Sequence, residues 1–181
     1  MVKDPAIYKI CSYLLQYPDE KMKQSLETIK EIIKEIGGET GEHLLLPVVE
    51  YLQKTDTDDL ITRYVQIFDF GKKTNLYVTY AIHGEQRERG AALLEIKQIY
   101  QKAGWQMPDD ELPDYLPLML EFAALSDDGI RLLERYAEHI RAIAEELAKA
   151  DSLYQNVLRF IILTVEAGRE ESIAMGGRSH A

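Results

Sequence analysis

Apolar residues recur every three or four positions along most of the chain, and no segment sustains the alternation that is typical of a β-strand. The segment 157–165 reads Val-Leu-Arg-Phe-Ile-Ile-Leu-Thr-Val, which is apolar nearly all round a helix. A helix of that kind is stable when other helices surround it. The sequence therefore predicts an all-α fold, a single-domain bundle of about eight or more helices with this segment at its centre.

Prolines, glycines and capping residues mark where the predicted helices begin and end. Asp4-Pro5 begins the first helix, and Gly37-Gly38 ends the second. Pro47 is placed in the first turn of the third, after a loop at 39–42. The segment Leu76–His83 fits a helix or a strand, and we favour a helix because its surroundings are helical. The predicted helices cover about residues 5–17, 19–36, 43–54, 58–70, 76–83, 85–103, 112–125, 127–150 and 151–168.

No linker rich in proline, glycine or serine divides the 181 residues. We expect one helical domain over residues 1–168, followed by a disordered tail at 169–181. The apolar runs are too short to cross a bilayer, and the N-terminus lacks the core of a signal peptide. These features predict a cytoplasmic protein that does not insert into membranes. The single cysteine, Cys11, lies on an apolar helical face and is expected to be a buried thiol.

The net charge of −10 argues against nucleic acid as a ligand, because nucleic-acid binding needs a basic surface. The charge is unevenly placed along the chain. Residues 61–107 carry seven bases and four acids, whereas residues 108–128 carry seven acids and no base. Such an acidic segment is either a solvated loop or a surface that attracts a basic partner.

Residue spacing gives no support for catalysis. None of the four histidines, His43, His83, His139 and His180, stands at metal-binding spacing from another. The acidic clusters at 56–59, 109–111 and 127–128 each precede a predicted helix, where carboxylates cap free amides. The chain also lacks a phosphate-binding loop and a Gly-x-Ser-x-Gly motif. We therefore predict no catalytic residue, no metal site and no resident cofactor.

Two prolines interrupt the acidic segment within Glu111-Leu112-Pro113-Asp114-Tyr115-Leu116-Pro117. Pro113 fits the first turn of a helix, but Pro117 cannot donate to the carbonyl of residue 113. Residues 112–116 should therefore form a turn, with the helix restarting at about Pro117. Asp114 lies between the prolines and can accept hydrogen bonds from backbone amides or from a basic ligand. The segment is thus either a capped corner between helices or a place where another chain docks.

Four short motifs, taken in order, resemble the signature of the NarJ-type nitrate reductase assembly chaperones, within the wider NarJ/TorD/DmsD group of molybdoenzyme maturation chaperones. Each motif is weak alone, and the resemblance rests on their order in a chain of this size. They are Tyr64-x-x-x-Phe68-Asp69, Leu76-Tyr77-x-Thr79-Tyr80, Gly84-Glu85-x-Arg87-x-Arg89-Gly90 and the double-proline segment 111–117, which leads into an apolar stretch ending at Phe122.

The resemblance implies an all-helical cytoplasmic chaperone, not an enzyme. Its client would be the N-terminal segment of the apo catalytic (α) subunit of respiratory nitrate reductase. Binding would hold that subunit competent for molybdenum cofactor and iron–sulfur insertion and delay its docking to the membrane subunit. We expect a monomer or weak homodimer. The alternatives are an acidic helical adaptor or regulator with an unrelated protein partner and a metal-dependent helical hydrolase.

For the site, the resemblance implies that Asp114 contacts the client peptide. Members of the wider group often carry histidine where this chain has Tyr115, and tyrosine cannot take up a proton near neutral pH. We expect Asp114→Ala to weaken peptide binding and to leave the fold intact. The residues predicted to form the client groove are Asp114, Tyr115, Leu116, Glu111, Leu112, Tyr64, Tyr77, Tyr80 and His83.

The remaining motif residues are expected to be structural. Arg87 and Arg89 begin a predicted helix, where positive charge opposes the helix dipole. We therefore expect them to pair with acids elsewhere, in the segment 108–128. The other residues predicted to shape this region are Asp69, Gly90, Pro113 and Pro117.

Overall fold

The computed structural model describes residues 4–80 and 87–176, and the following statements concern those residues. They form nine α-helices and one short π-helix. The bounds are α1 Ala6–Leu14, α2 Glu20–Ile36, α3 Gly38–Lys54, α4 Thr57–Tyr64, the π-helix Val65–Asp69, α5 Arg87–Lys102, α6 Leu116–Ala123, α7 Asp127–Arg135, α8 Ala137–Lys149 and α9 Gln155–Gly176. The predicted all-α bundle is confirmed.

Helix α9 lies at the centre of the bundle. It packs against α8, α3, α7 and α1, while α2 packs on α3 and α6 is held between α1 and α7. Phe160 and Ile161 of α9 are fully buried, and each side chain buried in this way stabilises the fold by about 1.5–3 kcal/mol. Within the apolar segment 157–165, one face of α9 is exposed to solvent, and Leu163 on that face is 47% exposed. The predicted central helix is thus confirmed.

Several predicted helix ends are confirmed by capping contacts. The Asp19 carboxylate accepts from the amide of Met22 at 2.6 Å and begins α2. Asp56 caps α4 in the same way, and Ser126 caps α7. Cys11 is buried, as predicted, and its burial raises the pKa of the thiol.

Two predicted features of α3 are wrong. No loop separates α2 from α3, because Gly38 adopts a φ of +61° and the new helix begins there at once. Pro47 is therefore inside the helix and not in its first turn. Its missing amide leaves the carbonyl of His43 without the usual partner, and both residues are exposed, so water can replace that bond.

The C-terminal half of the chain differs from the prediction at two helix boundaries. The segment 127–150 is not one helix, because Tyr136, at φ −100° and ψ 13°, separates α7 from α8. The last helix continues past its predicted end at Gly168 to Gly176. Residues 177–181 lie outside the described residues.

The motif-rich region departs most from the helical prediction. Leu76–Thr79 is not helical, and Tyr77 forms an isolated antiparallel β-bridge with Tyr115. The rest of that predicted helix, 81–83, lies outside the described residues. Just before it, the end of the predicted helix 58–70 widens into the π-helix. Such π-turns are common at functional sites.

None of the described helices combines the length and the apolar character that crossing a membrane requires.

Gly129 allows α7 to approach α6 closely. A Cβ at this position would meet backbone atoms of Ala123 at 2.5 Å, which neither helix can relieve by a side-chain movement. We expect Gly129→Ala to lower the free energy of unfolding by about 1–3 kcal/mol in urea titration. The matched control is Gly168→Ala in α9, where a Cβ meets nothing within 4 Å and the better helix former should add about 0.5–1 kcal/mol. Equal effects of the two substitutions would contradict the close approach.

Candidate functional site

The carboxylate of Asp114 joins segments that are distant in the sequence. Its Oδ2 accepts hydrogen bonds from the Thr79 amide at 3.2 Å and from the Thr79 hydroxyl at 2.6 Å. The guanidinium of Arg89 lies 3.5 Å from the same oxygen. Asp114 itself is 0% exposed. One buried carboxylate therefore holds the 76–80 segment and the start of α5 against the double-proline corner.

Backbone hydrogen bonds reinforce this junction. The amide of Val78 donates to the Asp114 carbonyl at 2.9 Å, and the amide of Leu116 donates to the Leu76 carbonyl at 2.8 Å. These two bonds satisfy the Leu116 amide and the Asp114 carbonyl, which the double-proline corner leaves without helical partners. They hold 76–80 against the corner, while the Tyr80 amide donates to the Tyr77 carbonyl at 3.0 Å and closes a turn within the segment.

Arg89 is fixed on several sides. Its Nε donates to the Thr79 hydroxyl at 3.3 Å, and its guanidinium lies 5.2 Å from the centre of the Tyr80 ring. The expected pairing with an acid of the segment 108–128 is thus confirmed for Arg89. Arg87 is exposed and makes no ion pair with another described residue, so the expectation is not met there.

Burial changes the role of three residues that were predicted to contact a client. Asp114 and Leu116 are 0% exposed, and Tyr64 is 5% exposed with its hydroxyl donating to the Leu15 carbonyl at 2.8 Å. In place of the expectation that Asp114→Ala leaves the fold intact, its burial leads us to expect a loss of stability, because the substitution would leave Arg89 and Thr79 without their partner. These three buried side chains support the residues of the site and are not themselves at the surface.

Tyr77 and Tyr115 lie side by side at the junction, and both stay neutral at physiological pH. The Tyr77 hydroxyl donates to Glu111 Oε1 at 3.1 Å, and its ring lies 5.4 Å from that of Tyr115. Burial, helped by the nearby Glu111 carboxylate, raises the pKa of Tyr77 to about 12. Burial also raises the pKa of Tyr115. Glu111 Oε1 also accepts from the Leu112 amide at 2.8 Å, but the next helix begins at Leu116, so the prediction that the acidic cluster 109–111 caps a helix is wrong.

A groove opens beside this junction, between the π-helix and the 76–80 segment. It has a volume of about 510 Å³, and we call it the aromatic groove. Phe70 is 78% exposed and Leu112 is 41% exposed at its walls. Its described lining is Phe68, Asp69, Phe70, Gly71, Lys72, Asn75, Tyr77, Tyr80, Arg89 and Leu112.

A second groove lies on the other side of Leu112, between the end of α5 and the loop 104–113. It has a volume of about 770 Å³, and we call it the acidic groove because Asp109 and Glu111 line it. Trp105 forms its apolar floor and packs against Phe122 with ring centres 5.2 Å apart. Leu112 lines both grooves, so the two are neighbours along one surface.

Four of the residues predicted to contact a client line one of the two grooves, and other lining residues were not predicted. Tyr77, Tyr80 and Leu112 do line the aromatic groove, and Glu111 lines the acidic one. Phe70 and Lys72 were missed, although they directly follow the first motif. His83 lies outside the described residues. The two prolines, Pro113 and Pro117, are buried and shape the corner, and Gly90 is exposed on α5.

The described residues contain no group of three or more His, Cys, Asp or Glu side chains arranged to hold a metal ion.

The Asp114 junction should be a main contributor to stability. Removing one partner of a buried ion pair costs about 3–5 kcal/mol, and the 16% exposure of the Arg89 side chain reduces this. We expect Asp114→Ala to lower the free energy of unfolding by about 2–4 kcal/mol in urea titration. The matched control is Glu95→Ala, which removes the partner of Arg135 in an exposed pair and should cost under about 1 kcal/mol. An Asp114→Ala variant as stable as the control would contradict this role.

Comparison with known proteins agrees with the resemblance seen in the sequence. The family model "Nitrate reductase delta subunit" matches residues 15–159. A Bacillus subtilis protein named "Probable nitrate reductase molybdenum cofactor assembly chaperone NarJ" is 43% identical over 169 residues, which is 92% of this chain and 92% of that protein. The Escherichia coli protein "Nitrate reductase molybdenum cofactor assembly chaperone NarJ" is 32% identical over 150 residues, 80% of this chain and 63% of that protein.

Two further matches are a much longer protein and a solved structure of low sequence identity. A Mycobacterium tuberculosis protein named "Nitrate reductase-like protein NarX" is 34% identical over 160 residues, but this region is only 24% of that protein. A crystal structure of a protein assigned to redox enzyme maturation in Archaeoglobus fulgidus superposes with a TM-score of 0.65, covering 90% of this chain and 93% of its own. At 21% identity, that match shows a shared fold alone. The family model and the Bacillus relative together establish that the chain belongs to the nitrate reductase delta subunit family of NarJ-type assembly chaperones.

Proposed function

We propose that the chain is a dedicated chaperone for the catalytic subunit of a respiratory nitrate reductase. It binds the N-terminal segment of the apo-subunit in the cytoplasm and keeps the subunit competent for molybdenum cofactor and iron–sulfur insertion before membrane docking. The names of the relatives support the assembly role. The binding role is inferred from the aromatic groove, because Phe70 and Leu112 in its lining are exposed apolar side chains.

The groove suits an amphipathic helix of a client. Such a helix buries its apolar face against aromatic walls while its polar face stays in water. Phe70 and Leu112 supply exposed apolar area, and the rings of Tyr77 and Tyr80 present apolar faces with polar edges. The buried Asp114 carboxylate holds Arg89, which lines the groove, and so keeps these walls in place. A pre-formed surface of this kind reduces the entropy cost of binding.

Simple energetics are compatible with specific, reversible binding. Burying two or three apolar anchors contributes about 1.5–3 kcal/mol each. Micromolar affinity corresponds to about −8 kcal/mol, and ordering the client segment opposes part of the gain. The groove therefore supports an affinity that holds the client during assembly and still allows its release.

Phe70 provides the sharpest test of the groove. We expect Phe70→Ala to weaken binding of a synthetic peptide from the N-terminus of the catalytic subunit by about tenfold or more in isothermal titration calorimetry, because the side chain is a central apolar anchor. The fold should be unaffected, since Phe70 is 78% exposed. The matched control is Leu163→Ala, another exposed apolar residue, on α9 away from both grooves.

The two possible failures have different meanings. If the wild-type protein does not bind the peptide at any pH or salt concentration tested, the proposed function is wrong. If the wild-type protein binds and Phe70→Ala binds equally well, the function stands and the aromatic groove is not the client site.

A further inference from the structure

The surface on either side of Leu112 carries opposite charges. At the aromatic end, Lys72 and Lys73 are exposed beside a single acid, Asp69. At the acidic end, the loop carries Asp109, Asp110 and Glu111, and Lys97 is the one cation among the described lining residues. The aromatic end therefore has a small positive charge and the acidic end a clear negative charge.

Ion pairing within the protein does not remove this difference in charge between the two grooves. Arg89 is paired with the buried Asp114, so the pair adds little net charge to the groove. Lys72 and Asp69 line the groove and make no ion pair with another described residue, so their charges face an incoming ligand, and Lys73 is exposed next to them. At the acidic end, Asp109 and Asp110 are exposed and likewise unpaired among the described residues.

We infer that the client segment lies across Leu112 in one direction only, with its more basic half over the acidic groove and its less basic or acidic half over the aromatic groove beside Lys72. This inference rests on the proposed function and assigns the chemistry and the orientation of the bound segment. The opposite direction would place basic client residues beside Lys72 and Lys73. Such like-charge contacts within the Debye length, about 8 Å at physiological salt, disfavour the wrong orientation.

Leu112 is the fixed point of this arrangement. It is half exposed on the wall that separates the two grooves, and the corner that carries it is held by the Tyr100 hydroxyl, which donates to the Pro113 carbonyl at 2.8 Å. A helix crossing this wall would rest an apolar residue on Leu112 and extend a charged end into each groove. The apolar contact supplies affinity, while the charges choose the direction.

The orientation is measurable with spin labels. Cys11 is fully buried, so a cysteine introduced at Asp110 or at Lys73 reacts selectively with a nitroxide reagent in the folded protein. The probe is an isotopically labelled synthetic peptide from the N-terminus of the catalytic subunit. We expect the label at residue 110 to broaden the NMR signals of the more basic half, and the label at residue 73 to broaden those of the other half. Equal broadening of both halves, or the reverse pattern, would overturn the inference.

A comparison of two charge-reversal variants tests the same inference through the affinity for the peptide. The test variant combines Asp109→Lys with Asp110→Lys, which changes the net charge from −10 to −6. The control variant combines Glu35→Lys with Glu42→Lys and has the same net charge. Its two positions are exposed and line neither groove. We expect the first variant to weaken peptide binding about tenfold or more at low salt, and the control to stay within about threefold. Equal weakening by both variants would indicate a general charge effect and overturn the inference. Failure of the wild-type protein to bind would instead overturn the proposed function.

Discussion

The Asp114 carboxylate is the contact on which the site depends. It accepts from the amide and the hydroxyl of Thr79 and lies beside the guanidinium of Arg89, so a single side chain connects three stretches of chain. These stretches share no helix and no continuous sheet, and the backbone between Leu76 and Leu116 adds only an isolated bridge. The carboxylate adds to two backbone hydrogen bonds and to the buried side chains of Leu76 and Val78, which also hold the 76–80 segment against the corner. The aromatic groove exists because this segment is held still.

Burying a charge costs desolvation free energy, but here the charge fixes the relative orientation of the segments that it joins. Replacing a buried ion pair by apolar side chains is often neutral or stabilising, since desolvation opposes the electrostatic attraction. Apolar contacts, however, allow several packing arrangements, whereas the Thr79 hydroxyl and amide meet one carboxylate oxygen in a single geometry. Tyr80 is placed by the same group, because Arg89 lies over its ring. The carboxylate thereby sets the positions of the aromatic walls as well as the path of the backbone.

The helical core was predictable from the sequence because periodicity and capping are local signals. The central position of α9 followed from its apolar surface, and Asp19 and Asp56 marked helix starts that the structure confirms. The errors lie where local signals compete. Gly37-Gly38 indicated a break, but a positive φ at Gly38 allows one helix to follow another without a loop. Leu76–Tyr80 carries residues suited to either helix or strand, and the distant corner at 114–116 supplies the backbone partners that form the β-bridge there.

For the site, the sequence indicated which residues belong together but not which of them face solvent. The four motifs do converge on one junction, and the unfavourable position of Arg89 at a helix start did indicate a distant acid. Burial is a tertiary property, so nothing in the spacing of Glu111-Leu112-Pro113-Asp114 showed that Leu112 would be exposed and Asp114 enclosed. The corner explains this division. Its two bonds to Leu76 and Val78 turn the Asp114 side toward the 76–80 segment, which leaves Leu112, two residues earlier, at the surface where the grooves meet. Residues in one short motif thus divide between holding the site and forming its surface.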